Sequence, residues 1–219
     1  MFQLNHITLA YEGGVVALRD VSLHIERGSA VALTGPNGCG KTTLLRVLNG
    51  LLFPKSGEYR FDGKLINKET LRDANFSKEF HGRVGYVFQN VDAQLFCGSV
   101  EDEIAFGPRQ LDMNEDELRA RVDDCLKLLG IEKLRTRAPY ALSGGEKRKT
   151  AFAAVLALNP DALVMDEPLS GLDRDSQALV LDLLKALKKA GKTLAFATHN
   201  EALVSEVADR RVVCDDFSV

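Results

Sequence analysis

The sequence predicts an α/β fold: a mostly parallel sheet covered by helices, an antiparallel β layer near the N-terminus and an inserted α-helical subdomain. Three observations predict it. Short apolar runs without alternation, such as Ala30 to Leu33 and Ala162 to Met165, read as strands buried on both faces. Amphipathic helical segments alternate with these runs, which implies parallel strands joined by crossovers. Near the N-terminus, Val21, Leu23 and Ile25 alternate with Ser22, His24 and Glu26, and Tyr59 and Phe61 alternate with Glu58, Arg60 and Asp62, as half-buried strands do.

The elements follow in order. After the antiparallel layer, the strand from Ala30 to Leu33 leads into a Gly-rich turn and a helix from about Lys41 to Asn49, closed by Gly50. A further strand is expected from Arg83 to Phe88. From about Asn90 to Leu142 the chain is mostly polar and helical, and Glu115 to Leu129 places Leu118, Val122, Cys125, Leu126 and Leu129 on one face. A helix from Gly144 to Leu158 is ended by Asn159-Pro160. The strand from Ala162 to Met165 then closes in acidic residues. Asp175 to Ala190 is amphipathic, with Leu179, Leu183, Leu184 and Leu187 expected inward, Lys185, Lys188 and Lys189 outward, and Gly191 as its stop. Thr193 to Thr198 reads as a strand and Glu201 to Ala208 as the last helix. The whole reads as one domain, with residues 1–89 and 156–219 forming a core and about 90–155 the helical insertion.

Composition narrows the function. The 219 residues carry 28 Lys plus Arg against 31 Asp plus Glu, a net charge of −3. This balance lacks the basic stripe that nucleic acids or anionic membranes attract, so nucleic acid is not expected as a partner. No apolar stretch approaches the roughly 20 residues of a spanning helix, and the N-terminus shows no export pattern. A cytoplasmic location is expected, with membrane contact only through partners. The four cysteines and four histidines are dispersed and show no metal-site spacing.

Gly35-Pro36-Asn37-Gly38-Cys39-Gly40-Lys41-Thr42, followed by Thr43, satisfies G-x4-G-K-[ST] and lies between a buried strand and a helix start. Its glycines let backbone N–H groups converge on phosphates, and the helix N-terminus adds positive potential. Lys41 is expected at the β and γ phosphates and Thr42 on Mg²⁺, as in a P-loop NTPase. Asp166 and Glu167 follow a buried strand, at the edge where α/β sheets bind ligands, so Asp166 suits Mg²⁺ and Glu167 the attacking water. In Leu142-Ser143-Gly144-Gly145-Glu146, Ser143 and Glu146 form a capping box while the glycines leave N–H groups bare for a phosphate. One phosphate cannot easily sit on this helix and on the Lys41 helix of the same chain, so a second copy is expected to supply it.

The order of Gly35 to Thr42, Gln89, Leu142 to Glu146, Met165 to Glu167, Ser170-Gly171-Leu172-Asp173 and His199 resembles the ATP-binding cassette (ABC) family of ATPases across nearly the whole chain. The resemblance implies a head-to-tail dimer holding two ATP molecules, each between the phosphate loop of one subunit and the Ser143 segment of the other. It implies Tyr11 on adenine, Gln89 between Mg²⁺, water and a transmembrane coupling surface, Asp173 across the dimer, and His199 at the γ-phosphate. Taken as residues alone, Tyr11 is also an edge or core aromatic, Gln89 a strand-end polar residue and His199 a helix-start residue.

Gln89 to Phe96 and Val100 to Pro108 further resemble the energy-coupling-factor and cobalt-uptake branch, whose ATPases drive uptake of transition metals or vitamins. The resemblance implies a transmembrane coupling protein and a substrate-binding membrane subunit as partners, and a homodimer or a heterodimer with a related ATPase at the cytoplasmic face. Leu95, Phe96 and Val100 read either as a groove for a partner helix or as a local mini-core. Val91, Ala93 and Arg174 depart from the branch pattern. Glu146 stands where Gln is frequent, adding negative charge near ATP. Cys39 in the phosphate loop is expected to make a thiol reagent inhibitory. The chain ends at Val219 without the extra dimerisation region common in the branch, which argues against a stable nucleotide-free dimer.

Overall fold

The computed structural model describes residues 1–214; the end of the chain at Val219 lies outside the described residues. Two sheets form. The strands β1 (Phe2–Ala10), β2 (Val16–Ile25), β4 (Ser56–Phe61) and β5 (Lys64–Leu65) make the antiparallel layer in the order β2-β1-β4-β5. Phe2 sits between Ile25 and Phe61, and Leu4 between Leu23 and Tyr59, so the alternating residues of three strands meet on one face.

The second sheet has the order β6-β7-β8-β3-β9, formed by β3 (Ala30–Thr34), β6 (Val84–Val87), β7 (Ala162–Asp166), β8 (Thr193–Ala197) and β9 (Arg210–Val213), and every pairing in it is parallel. Its apolar runs serve two cores at once. Ala30, Ala32, Leu163, Met165, Leu194 and Phe196 belong to one, and Val31, Leu33, Ala162, Val164, Ala195 and Ala197 to the other. This is why these strands show no alternation of polarity, although their side chains alternate in direction.

The helices are α1 (Lys41–Leu48), α2 (Ala74–Arg83), α3 (Val100–Gln110), α4 (Glu115–Leu128), α5 (Gly144–Ala157), α6 (Arg174–Lys189) and α7 (Glu201–Val207). α1 packs between the two sheets, against β7, β8 and β2. α3, α4 and α5 pack on one another, and their core runs into that of the parallel sheet: Ile104, Val122 and Phe152 belong to the same cluster as Met165. The insertion is therefore a topological unit without a core of its own.

Four readings change. α2 has no counterpart in the sequence pattern: its ten residues bury only Phe80, so it shows no helical apolar stripe, and Asp73 nucleates it by accepting the Phe76 N–H at 2.8 Å. β9 has no buried residue and so leaves no apolar pattern in the sequence; pairing with β3 defines it. On α6 the inward face is Ser176, Val180, Leu183 and Leu184, while Leu179 is 37% exposed: the packed stripe runs one position beyond it. Leu95, Phe96 and Val100 do not act together. Val100 is fully buried in the core that the insertion shares with the parallel sheet, whereas Phe96 is 67% exposed.

Candidate active site

Because all strands of the larger sheet are parallel, the segments following β3, β6, β7 and β8 emerge at one edge. They carry residues 35–40, 88–90, 167 and 198–199. There they line a cavity of about 670 Å³ with Tyr11, Val15, Val16 and Ala17 of the antiparallel layer on its far side. Asn37, Gly38, Gly40, Lys41, Thr42, Thr43, Gln89, Asp166, Glu167 and His199 complete its wall. Residues as far apart in the chain as Asn37 and His199 thus meet at the strand-end edge, as the parallel-sheet rule requires.

The phosphate loop has the backbone that its composition calls for. Gly35 has φ 136°, and a Cβ there would lie 2.9 Å from the Cys214 carbonyl oxygen. Gly40 is the N-cap of α1 with φ 96°, in the left-handed region that other side chains avoid. No side chain caps α1 and its first turn holds no acidic residue, so its N–H groups remain open to an anion. Lys41 Nζ donates to the carbonyls of Gly35 and Pro36 at 2.7 and 2.8 Å, folded back into the loop. Cys39 is only 6% exposed, with Sγ 3.7 Å from Lys41 Nζ, so the loop itself shields the thiol from a reagent.

Opposite the loop, the Thr42 hydroxyl donates to Asp166 Oδ2 at 2.7 Å. The Thr42 hydroxyl and Asp166 carboxylate, with Gln89 lining the same cavity, offer oxygen donors of the kind a hard divalent cation such as Mg²⁺ takes. Glu167 has φ 49°, an unfavoured conformation for a side chain with a Cβ, held by its N–H bond to the Ala197 carbonyl at 2.9 Å. Glu167 Oε2 accepts from the Thr198 hydroxyl at 3.3 Å. Oε1 is buried with no hydrogen-bond partner among the described residues, and His199 Nε2 stands 3.7 Å away. His199 Nε2 also lies 3.1 Å from Asn37 Oδ1, joining the β8 end to the phosphate loop. The Tyr11 hydroxyl pairs with Thr43 Oγ1 at 2.9 Å, fixing its ring at the mouth of the cavity.

The Ser143 segment is elsewhere: Ser143, Gly144, Gly145 and Glu146 are not among the residues lining this cavity. They begin α5 with the full capping box. Ser143 Oγ accepts the Glu146 N–H at 3.3 Å, and Glu146 Oε2 accepts the Ser143 N–H at 2.8 Å. That backbone bond holds the Glu146 carboxyl below its usual range. Ser143 and Gly144 are exposed, so the helix start faces solvent. Asp173 caps α6 by accepting the Ser176 N–H at 2.8 Å, a bond that also lowers its pKa.

Sequence reasoning passed over two features. Val15 to Ala17 supply the apolar wall beside Tyr11, and the Gly13-Gly14 turn before them is the one local hint of it. Arg148 is buried on α5 and grips the backbone at Gln89, which nothing in its neighbourhood of the sequence announces.

Comparison with known proteins identifies the family. Residues 18–170 match the model of the ABC transporter family. The nickel import ATP-binding protein LarO of Lactiplantibacillus plantarum is 48% identical, with 90% of this chain and 81% of LarO covered. The energy-coupling factor transporter ATP-binding protein EcfA of Methanoculleus marisnigri is 44% identical, over 98% of this chain and 76% of EcfA. Among solved structures, cbiO1 of Clostridium perfringens, part of the ABC transporter complex cbiONQ, superposes with a TM-score of 0.82 at 36% identity, covering 97% of this chain and 83% of its own. The dimeric ATP-binding cassette MJ0796, bound to ADP and Pi in a post-hydrolysis state, gives 0.90 at 29% identity, covering 100% and 96%. The chain belongs to the ABC transporter family and is an ATP-binding, ATP-hydrolysing subunit of it.

Proposed function

We propose that this chain is the ATPase of an uptake transporter of the energy-coupling-factor type, moving a transition-metal ion or a vitamin through separate membrane subunits. The observation that carries the reading is a second groove of about 300 Å³ that shares Thr42, Gln89 and Asp166 with the nucleotide cavity and is otherwise lined by Arg46, Leu51, Tyr86, Phe88, Asn90 and Ala93. Gln89 therefore lines both the nucleotide cavity and an outer groove of mixed polarity. Nearby in the chain, Phe96 meets Phe106 edge to face at 4.9 Å, and both rings are exposed. Phe96 is held there by the buried Glu103 carboxylate, which accepts the N–H groups of Phe96 and Cys97 at 3.0 and 2.7 Å. An exposed aromatic pair of this kind suits a helix offered by a membrane partner at the cytoplasmic face; among the described residues no helix is long and apolar enough to cross a membrane. LarO is named for nickel import and EcfA for an energy-coupling factor transporter, which supports the branch.

In the proposed cycle the cavity binds the triphosphate on the open N–H groups of α1 and on Lys41, which leaves the loop carbonyls for the phosphates. Thr42, Asp166 and Gln89 would hold Mg²⁺, which draws charge from the triphosphate. Tyr11 and Val15 to Ala17 would receive the adenine. Glu167 accepts a proton from the attacking water, and His199 contacts the γ-phosphate. Ser143 to Gly145 of a second subunit close the chamber, with Asp173 at the same junction. Either an identical chain or a related ATPase meets this need.

The Phe96→Asp, Phe106→Asp double variant tests the coupling surface. Wild-type protein is expected to sediment with membranes and to be recovered in detergent with a polytopic membrane protein, and the variant to lose this while its soluble ATP hydrolysis stays within about twofold, since neither ring lines the nucleotide cavity. Unchanged membrane recovery, or recovery with ribosomes instead, would sink the reading.

Glu146 tests the electrostatics of the helix start. Glu146→Gln keeps an acceptor for the Ser143 N–H and removes one negative charge beside the proposed phosphate. The KM for ATP is expected to fall about two- to threefold with kcat unchanged. An unaltered KM in steady-state phosphate release would show that the nucleotide does not feel the folded-back carboxylate.

A further inference from the structure

Arg148 lies in the second turn of α5 and is 5% exposed, beside Thr150, Ala151 and Phe152, which are fully buried. A guanidinium in such a place is costly unless its donors are used. Nη1 donates to the Phe88 carbonyl at 2.7 Å and Nη2 to the Gln89 carbonyl at 2.8 Å, while Nε is buried without a hydrogen-bond partner among the described residues. Along an extended strand, consecutive carbonyls point to opposite sides. β6 ends at Val87, and the next two carbonyls have turned toward one planar fork.

Other ties hold the same segment. Lys147 Nζ pairs with Asp92 Oδ1 at 2.6 Å, giving α5 a second grip five residues after Val87. From the other side, Gln94 Oε1 accepts the Phe88 N–H and Gln94 Nε2 donates to the Tyr86 carbonyl, both at 3.0 Å. The backbone around Gln89 is thus claimed from α5 and from the turn that follows it. Burial works against the Arg148 charge, and the nearby Asp166 and Glu167 carboxylates work for it, so the cation also stands behind the acid pair.

We infer that Arg148 is a positioning residue: its fork places Gln89 between the nucleotide cavity and the outer groove, and ties that placement to the helix whose first turn carries Ser143. The helix start proposed to meet a partner's nucleotide and the glutamine serving the chain's own nucleotide then move as one piece. The inference rests on the proposed role of Gln89. Lysine would keep the charge, but as a single ammonium it cannot reproduce the planar two-point contact.

The test is a double-mutant cycle of Arg148→Lys with Gln89→Ala, read as ATP hydrolysis at varied ATP and Mg²⁺. In the wild-type background Arg148→Lys is expected to lower kcat about tenfold, to raise the Mg²⁺ needed for half-maximal activity and to leave KM for ATP within about twofold. In the Gln89→Ala background the same change is expected to cost less than about twofold, because its route of action is gone. Equal losses in both backgrounds, or no loss in either, overturn the inference. Gln89→Ala alone reports on the separate claim about Gln89, since wild-type turnover there removes that claim whatever Arg148 does. Thermal unfolding of each variant shows that the folded protein is being assayed, and Arg148→Gln, which keeps a donor without charge, serves where the lysine variant does not fold.

Discussion

Glu167→Gln is expected to lower ATP turnover by roughly 10²–10⁴-fold while ATP affinity stays within about threefold of wild type. The geometry gives the reason. Glu167 has one carboxylate oxygen on the Thr198 hydroxyl and another, buried, with no hydrogen-bond partner among the described residues. An unmet acceptor in such a place costs about 1–3 kcal/mol, and folded proteins tolerate it mainly where chemistry uses it. The backbone at φ 49° adds a second local cost at the same residue. A carboxylate held this way, beside the Lys41 loop and His199, is placed to take a proton from water; an amide of the same shape cannot. The substitution leaves Thr42, Asp166 and the loop intact, so the variant is expected to bind ATP and to accumulate as a closed dimer in size-exclusion chromatography. Wild-type turnover, or a monomer at saturating ATP, would remove Glu167 from its proposed role.

The second large effect concerns the shared chamber. Lys41→Ala and Ser143→Arg are each expected to abolish hydrolysis, the first by removing the cation at the phosphates, the second by blocking the helix start. Mixed together, the two inactive proteins are expected to regain activity. In a head-to-tail pair one chamber combines both defects and the other is whole. Half the dimers are mixed and half their chambers intact, so recovery should reach roughly a quarter of the wild-type rate if chambers act independently. The cavity motivates this directly, because it gathers the phosphate loop, Gln89, Asp166, Glu167 and His199 but not Ser143. No recovery from mixtures shown to contain heterodimers would mean that each chain completes its own site.

Much of this was legible in the sequence because it is local. A buried strand, a Gly-rich turn and a helix start follow from residue types over some twenty positions, and the Ser143–Glu146 capping box lies within four, where the structure has both of its hydrogen bonds. The apolar face of α4 was equally readable, since Leu118, Val122, Cys125 and Leu126 recur at helical spacing and are all buried. The acid pair after Met165 was found because a strand buried on both faces has to end in its ligand edge.

Tertiary structure decided the rest, for a physical reason that recurs in each case: the outcome depended on groups far away in the chain. Leu179 and Val180 are both apolar, and only packing selects Val180 as the inward one. Val100 and Phe96 have similar polarity, yet α3 rotates the first into the core while Glu103 holds the second in solvent. β9 exists by pairing with β3, about 180 residues earlier. The order β6-β7-β8-β3-β9 is what brings Gln89, Asp166, Glu167 and His199 to one edge, and Arg148 reaches back 59 residues to hold Gln89 there. The sequence by itself determined which chemical groups the chain possesses and the local elements that present them; long-range pairing and burial determined which of those groups share a chamber, because such energies depend on neighbours that sequence spacing does not encode.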